Sequence, residues 1–155
     1  MNFFWVLLDL IFLASAGFTV YRQSKITLHA RYNYFALGYG VIFGFMLVMY
    51  SVPGFTYMVM VALFILLNVM SGVGGLAEDR VITNGIFYGV TVRYSDLAAV
   101  TLTSRPMPGE KHFIIAIFTL KRNGRNIRLN FSQSLETLVT DLRQNLPSEV
   151  ALVVR

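Results

Sequence analysis

Asp9 is a lone carboxylate inside a long apolar run, and its surroundings decide what chemistry it can do. An ionised carboxylate in hydrocarbon costs at least a few kcal/mol, so it needs a partner, a cavity, water or a proton. No Lys or Arg lies at comparable depth in the next two apolar runs. Its partners are then Asn68, tyrosine hydroxyls or another subunit, unless water solvates it about a third of the way into the first run. A second set, Arg105, Lys111, Lys121, Arg122 and Arg125, gathers around two expected turns at 104–110 and 123–124. A basic side chain near anionic lipid contributes about 1 kcal/mol, so these residues are candidates for lipid or partner contact; ordinary solvated turn charge is the plainer reading.

Catalytic chemistry has little to work with. The chain has no cysteine, which excludes disulfides, thiolate zinc sites and a cysteine nucleophile. Its two histidines, His29 and His112, have no second ligand at helical spacing, and a metal site would need donors from distant segments. Arg80, Arg93, Asp96 and Glu110 read as charges of sheet and turn. The run Gly72-Val73-Gly74-Gly75-Leu76-Ala77 spells a dinucleotide fingerprint, with Asp96 downstream. That motif requires a strand before it and a helix after it, whereas here an apolar helix precedes and Glu78-Asp79-Arg80 follows. No catalytic residue, metal or cofactor is expected, and the chain reads as a non-enzyme.

The elements carrying these residues fall into two halves. Residues 3–71 are almost unbrokenly apolar, interrupted by a basic segment at 21–31 and a Ser51-Val52-Pro53-Gly54 corner. Crossing a bilayer as a helix takes roughly 20 apolar residues. Stretches 2–20, 34–50 and 55–71 are read on that basis as three transmembrane helices, with Trp5, Tyr21, Tyr32, Tyr34, Tyr50 and Tyr57 near their ends as interfacial anchors. Ala14-Ser15-Ala16 resembles a leader cleavage site, but no basic n-region precedes it and Asp9 breaks the apolar core. Gly40 and Gly44 share one helix face one turn apart, so another helix can approach closely there. The expected partner is the small cluster containing Ala14 and Gly17, or a second copy of the chain.

Orientation follows from the positive charges. Arg22, Lys25 and Arg31 lie in the first loop, and ten of the thirteen Lys and Arg residues follow Ser71. The positive-inside rule then places the amino terminus outside and the carboxyl half in the cytoplasm. That rule also accounts for the net charge of +5, and with no Lys/Arg-rich run nucleic acid is not an expected partner.

After a Gly-rich hinge at 72–77 the pattern alternates, as strands do, over 77–83, 86–94, 97–103, 112–121 and 125–131. Asn84-Gly85 and Asn123-Gly124 sit where the alternation breaks, the strongest short hairpin signal. The run 113–120 is apolar throughout and should be a central strand or one covered on both faces. Leu135, Leu138, Val139, Leu142 and Leu146 then form a helical stripe over 133–146, with Ser134 or Ser132 as N-cap and Pro147 at the exit. Residues 149–154 can add a short strand.

Within this half, Tyr94, Asp96, Leu97 and Val100 follow an aromatic-x-Asp-Ile-x-x-Val pattern before a hairpin and a final helix. The order of elements resembles the bacterial pleckstrin-homology-like domains found behind two or three membrane helices in small membrane proteins. The likeness covers 76–147; five strands stand where a complete barrel of that family has seven. It implies a docking module at 78–155 and no catalysis.

The expected fold class is thus an α + β membrane protein, three transmembrane helices followed by a small antiparallel sheet or pleckstrin-like half-barrel with a carboxyl-terminal amphipathic helix. The expected function is to anchor that module at a bacterial inner membrane for binding a membrane or cytoplasmic protein, or anionic lipid. The alternative is a small oligomeric transport or immunity-type component, with the bilayer and further copies of itself as partners, built on the interface of the first two helices.

Overall fold

The computed structural model describes residues 3–50, 54–86, 89–106, 108 and 112–155, apart from the side chain of His112. They form two compact units. One comprises 1–25, 32–73 and 84–89, the other 26–31, 74–83 and 90–155.

In the helical unit, α1 (Phe3–Gln23), α2 (Tyr34–Tyr50) and α3 (Phe55–Ser71) pack with α3 against both of the others. The pairing follows from small and aromatic residues. Gly40 and Gly44 of α2 let α3 in: a Cβ at Gly40 would lie 2.6 Å from Asn68 Cβ, and one at Gly44 would lie 2.5 Å from Ile65 Cγ1. Toward the start of α3, Tyr57 meets Trp5 of α1 edge to face at 5.2 Å and donates its hydroxyl to Leu47 O of α2 at 2.7 Å. One aromatic residue therefore ties all three helices together.

The opposite end of α3 is closed by polar groups, because the last carbonyls of a helix have no partner within it. Gln23 Nε2 donates to Met70 O at 2.5 Å and Tyr32 Oη to Val69 O at 2.7 Å. The amides of Gly85 and Asn33 donate to Ser71 O and Gly72 O at 3.0 and 2.9 Å. Since Trp5 meets Tyr57 and Gln23 meets Met70, α1 and α3 run parallel.

The expectation of three transmembrane helices is corrected by these lengths. Among the described residues there are four α-helices and two sheets, and α1 alone is long and apolar enough to cross a membrane. Only 11% of its apolar window is buried within the chain. Helices α2 and α3 have 17 residues each; at 1.5 Å per residue they are about 25 Å long, short of the ~30 Å hydrocarbon core. The expected runs 34–50 and 55–71 coincide with α2 and α3, so their bounds stand and their spanning length does not. Residues 51–53 of the expected corner lie outside the described residues.

The β unit contains more strands than the alternation suggested. β1 (Leu28–His29), β2 (Gly75–Leu76), β3 (Arg80–Ile82) and β4 (Thr91–Arg93) form one antiparallel sheet in that order. β5 (Leu97–Pro106), β6 (His112–Leu120), β7 (Asn126–Phe131) and β8 (Ala151–Val154) form a second, ordered β7-β6-β5-β8, with β8 parallel to β5. The segment read as a hinge thus supplies β2, and the basic loop between the first two helices supplies β1. Arg31 N donates to Asn130 O at 2.6 Å, joining the chain just beyond β1 to β7.

The two sheets share one core. Leu76, Val81 and Val92 from the first sheet pack with Leu97, Val100, Leu102, Ile114, Ala116, Phe118, Leu129 and Phe131 from the second. α4 (Leu135–Asn145) adds Leu138 and Leu142, both fully buried, and starts at Ser134, whose Oγ accepts from Thr137 N at 3.2 Å. Central β6 puts Ile114, Ala116 and Phe118 into the core, and Ile115 on its other face is 6% exposed, so both faces are covered there.

Between β4 and β5 a 3-10 turn, Tyr94–Asp96, buries Tyr94, whose hydroxyl donates to Ala77 O at 2.7 Å. Burial, and then the negative charges of Asp141 and Asp79, push this phenol well above its ordinary value. A group with a raised folded pKa contributes stability that is complete below its unfolded pKa, about 10, and is lost as pH climbs beyond it. Tyr94→Phe should cost about 1–3 kcal/mol at neutral pH by stranding a buried carbonyl. It should also lessen the decline in stability above pH 10. Urea unfolding from pH 8 to 11 checks both, and an equally steep alkaline decline in the variant would refute the role given to Tyr94.

Candidate functional site

The five basic candidates do not form one surface. Arg105 pairs with Phe113 at the start of β6, while Lys121 follows Leu120 at its end. At about 3.3 Å per residue the two ends are on the order of 25 Å apart. Lys111 lies outside the described residues. Arg105 is exposed at the end of β5; the other three basic residues gather in the β6–β7 turn.

That turn is held by its own backbone. Gly124 has φ 63, the left-handed conformation that glycine adopts without a Cβ penalty. Leu120 N donates to Arg125 O at 3.0 Å, Gly124 N to Leu120 O at 3.1 Å, and Asn123 Oδ1 accepts from Arg125 N at 3.1 Å. Arg122 and Arg125 are exposed on this turn. Asn84-Gly85 behaves differently. The strands around it stop at Ile82 and resume at Thr91, so a longer loop replaces the two-residue turn.

Beside the β6–β7 turn lies a cleft of about 370 Å³ lined by Thr91, Val92, Asp96, Leu120, Lys121 and Arg122. Val92 and Leu120 give it an apolar floor. Lys121 N donates to Asp96 O at 2.9 Å, which fixes the turn to the 3-10 segment. The side chains of Lys121 and Arg122 outweigh the single carboxylate of Asp96, so the lining is net positive. Lys121 Nζ reaches Glu149 at 3.4 Å, with both side chains exposed. Such a surface pair contributes little, so an incoming anion can displace it. The volume suits a small anionic group with an apolar edge. The chain matches no family model, no curated protein and no solved structure.

The remaining candidates lie elsewhere. Gly40 and Gly44 face Asn68 and Ile65 of α3, whereas a Cβ at Gly17 would meet nothing within 4 Å and Ala14 is exposed. The small cluster of α1 is therefore not the partner of the glycine face. Asp9 is half-buried on α1, and its Oδ1 is buried without a hydrogen-bond partner among the described residues. Asn68 donates to Phe64 O of its own helix, and the parallel register of α1 and α3 puts it on the order of 10 Å or more from Asp9 along the axis. Tyr57 is committed to Leu47. Among the described residues no three His, Asp or Glu side chains converge as metal ligands. Arg80 forms a bidentate pair with the adjacent Asp79 at 2.6 Å, and its hydrogen bonds and charge hold that carboxyl below its usual range.

Sequence reasoning overlooked the polar closure of α3 by Gln23, Tyr32 and Asn33. The one available signal was a glutamine and a tyrosine flanking otherwise apolar runs, since Asn33 acts through its backbone amide.

Proposed function

We propose that this protein is a non-enzymatic membrane-anchored docking module. The helical unit holds it in lipid, and the Lys121–Arg125 turn with its adjoining cleft receives an anionic group from a partner. The observation that carries the anchor is the apolar exposure of its helices. Phe3, Phe35 and Phe45 are 80, 69 and 63% exposed, and apolar surface on this scale demands lipid or a partner. A retained span, in preference to a cleaved leader, is supported by the Trp5–Tyr57 and Gln23–Met70 contacts, which make α1 a structural member of the unit. The excess of Lys and Arg beyond α1 supports an outside amino terminus and a cytoplasmic β unit at a bacterial inner membrane. Two sheets around one core with a carboxyl-terminal helix support the pleckstrin-like reading of the β unit.

Alkaline carbonate extraction tests the anchor: the full chain should stay in the pellet, and release to the supernatant would end this reading. For the docking surface, protein held in neutral phosphatidylcholine nanodiscs should capture phosphatidylserine vesicles. Arg122→Gln with Arg125→Gln should weaken capture about 30-fold, at roughly 1 kcal/mol per charge. Unchanged capture would remove these residues from the site. Crosslinking in native membranes distinguishes an acidic protein from lipid as the physiological partner.

A further inference from the structure

The loop between β3 and β4 belongs to the helical unit, and its sequence, Asn84-Gly85-Ile86-Phe87-Tyr88-Gly89, carries no charge. Both of its flanks are pinned to helix ends. Gly85 N donates to Ser71 O at the carboxyl end of α3, at 3.0 Å. Arg22 Nη1 at the carboxyl end of α1 donates to Gly89 O at 2.5 Å. Between these pins Ile86 is 40% exposed, a large aliphatic side chain on a loop that could have used a polar residue.

The same end of the unit has the composition of a headgroup boundary. Tyr21 is 61% exposed, with Lys25 Nζ 5.3 Å from its ring centroid. Arg22 stacks over Phe18 at 5.2 Å, and Tyr32 meets Tyr34 edge to face at 5.2 Å. Tyrosines beside Lys and Arg at the end of a membrane-length helix mark the level where apolar side chains meet lipid headgroups. A solvent-facing loop would gain nothing from Ile86 there; a lipid-facing one would.

We propose that the loop is an interfacial anchor that buries Ile86 at the headgroup boundary of a phospholipid leaflet, beside the carboxyl ends of α1 and α3. The occupant is lipid because the end of α1 to which Arg22 ties this loop itself exposes apolar side chains, Phe18 and Val20 each at 56%. This rests on the membrane anchor proposed above and adds a second, loop-borne attachment to it.

Trp5 is the only tryptophan, so Trp5→Phe combined with Ile86→Trp places a single fluorophore in the loop of the full chain. In phosphatidylcholine proteoliposomes its emission should be blue-shifted. Lipids brominated near the headgroup should quench it more than lipids brominated near the chain end. Trp5→Phe with Tyr21→Trp provides the depth reference, and quenching at 86 should match quenching at 21 within about two-fold if both occupy one interfacial belt. Because the chain has no cysteine, Ile86→Cys offers an independent readout: a membrane-impermeant maleimide should label it slowly in vesicles and fast in detergent. Reconstitution with a water-like spectrum at position 86 and an unprotected thiol in the Ile86→Cys variant would overturn the loop anchor while leaving the helical anchor standing. Failure to partition into vesicles at all would overturn both.

Discussion

Gly40→Leu should separate α2 from α3 and destabilise the helical unit by about 3 kcal/mol or more, the upper range for forcing atoms into a packed interface. Even a methyl group suffices to begin the damage. A Cβ at Gly40 meets Asn68 Cβ at 2.6 Å and Cγ at 3.4 Å, with the backbone oxygen of Ile65 at 3.7 Å behind them. Asn68 is fully buried and cannot swing aside. At Gly44 the obstruction is Ile65 Cγ1 and Cδ1, the mobile part of a side chain that can change rotamer. The two glycines should therefore rank, with Gly40→Ala more destabilising than Gly44→Ala by thermal unfolding in mild detergent. Asn68→Gly should partly rescue Gly40→Ala, because it removes the colliding Cβ. Equal effects at both positions, or no rescue, would show that the α2–α3 interface is not built on this approach.

What could be read from the sequence divides along a physical line. β5, β7 and α4 were legible because each is long enough to express its own period, and β6 because an unbroken apolar run marks a strand covered on both faces; of the two serines offered as cap, Ser134 is the one used. The Gly40/Gly44 face was legible as a packing surface, since small residues one turn apart mean close approach whatever the partner. Its partner was not, because spacing within one helix carries no information about which neighbour arrives. β1 and β2 were invisible for a related reason. Two-residue strands have no period, and both are specified by a pairing between residues some fifty positions apart: Leu28 with Leu76 and His29 with Gly75. Of the basic candidates, Lys121, Arg122 and Arg125 do gather at a turn, whereas Arg105, read as a turn residue, belongs to β5, which runs on to Pro106. Apolar composition did mark the bounds of α2 and α3, since the runs 34–50 and 55–71 coincide with them, but not the polar contacts that close α3. Carbonyls at the carboxyl end of α3 accept from Gln23, Tyr32 and Asn33, all outside that helix.

Gly75→Val should peel β1 from its sheet. A Cβ at this position would collide with the backbone oxygen of Leu28, lie 2.6 Å from Ile26 Cγ2 and come within 3.1 Å of His29 Cα. Two of the three obstacles are main chain, so no rotamer change relieves them. β1 is only two residues long and has little else to hold it. Besides the ladder, Thr27 N donates to Leu76 O and Ala30 N to Gly74 O, both at 2.9 Å. Gln133 Nε2 donates to His29 O at 2.9 Å. At a net 0.5–1.5 kcal/mol each, losing these bonds amounts to about 3 kcal/mol. The consequence is local, because Leu28 and Ala30 are only partly buried against the shared core, whereas Leu97, Phe118 and Leu142 are fully buried within it. Hydrogen exchange reads this directly: amides of Thr27 and Ala30 should be protected in the parent and exchange freely in Gly75→Val, while Ile114, Ala116 and Phe118 stay protected in both. If Thr27 and Ala30 kept their protection in the variant, the inter-helix segment would not be a strand of this sheet. If protection vanished everywhere, β1 would be a required part of the folded β unit, and the segment between α1 and α2 would be as necessary to that unit as the sequence following α3.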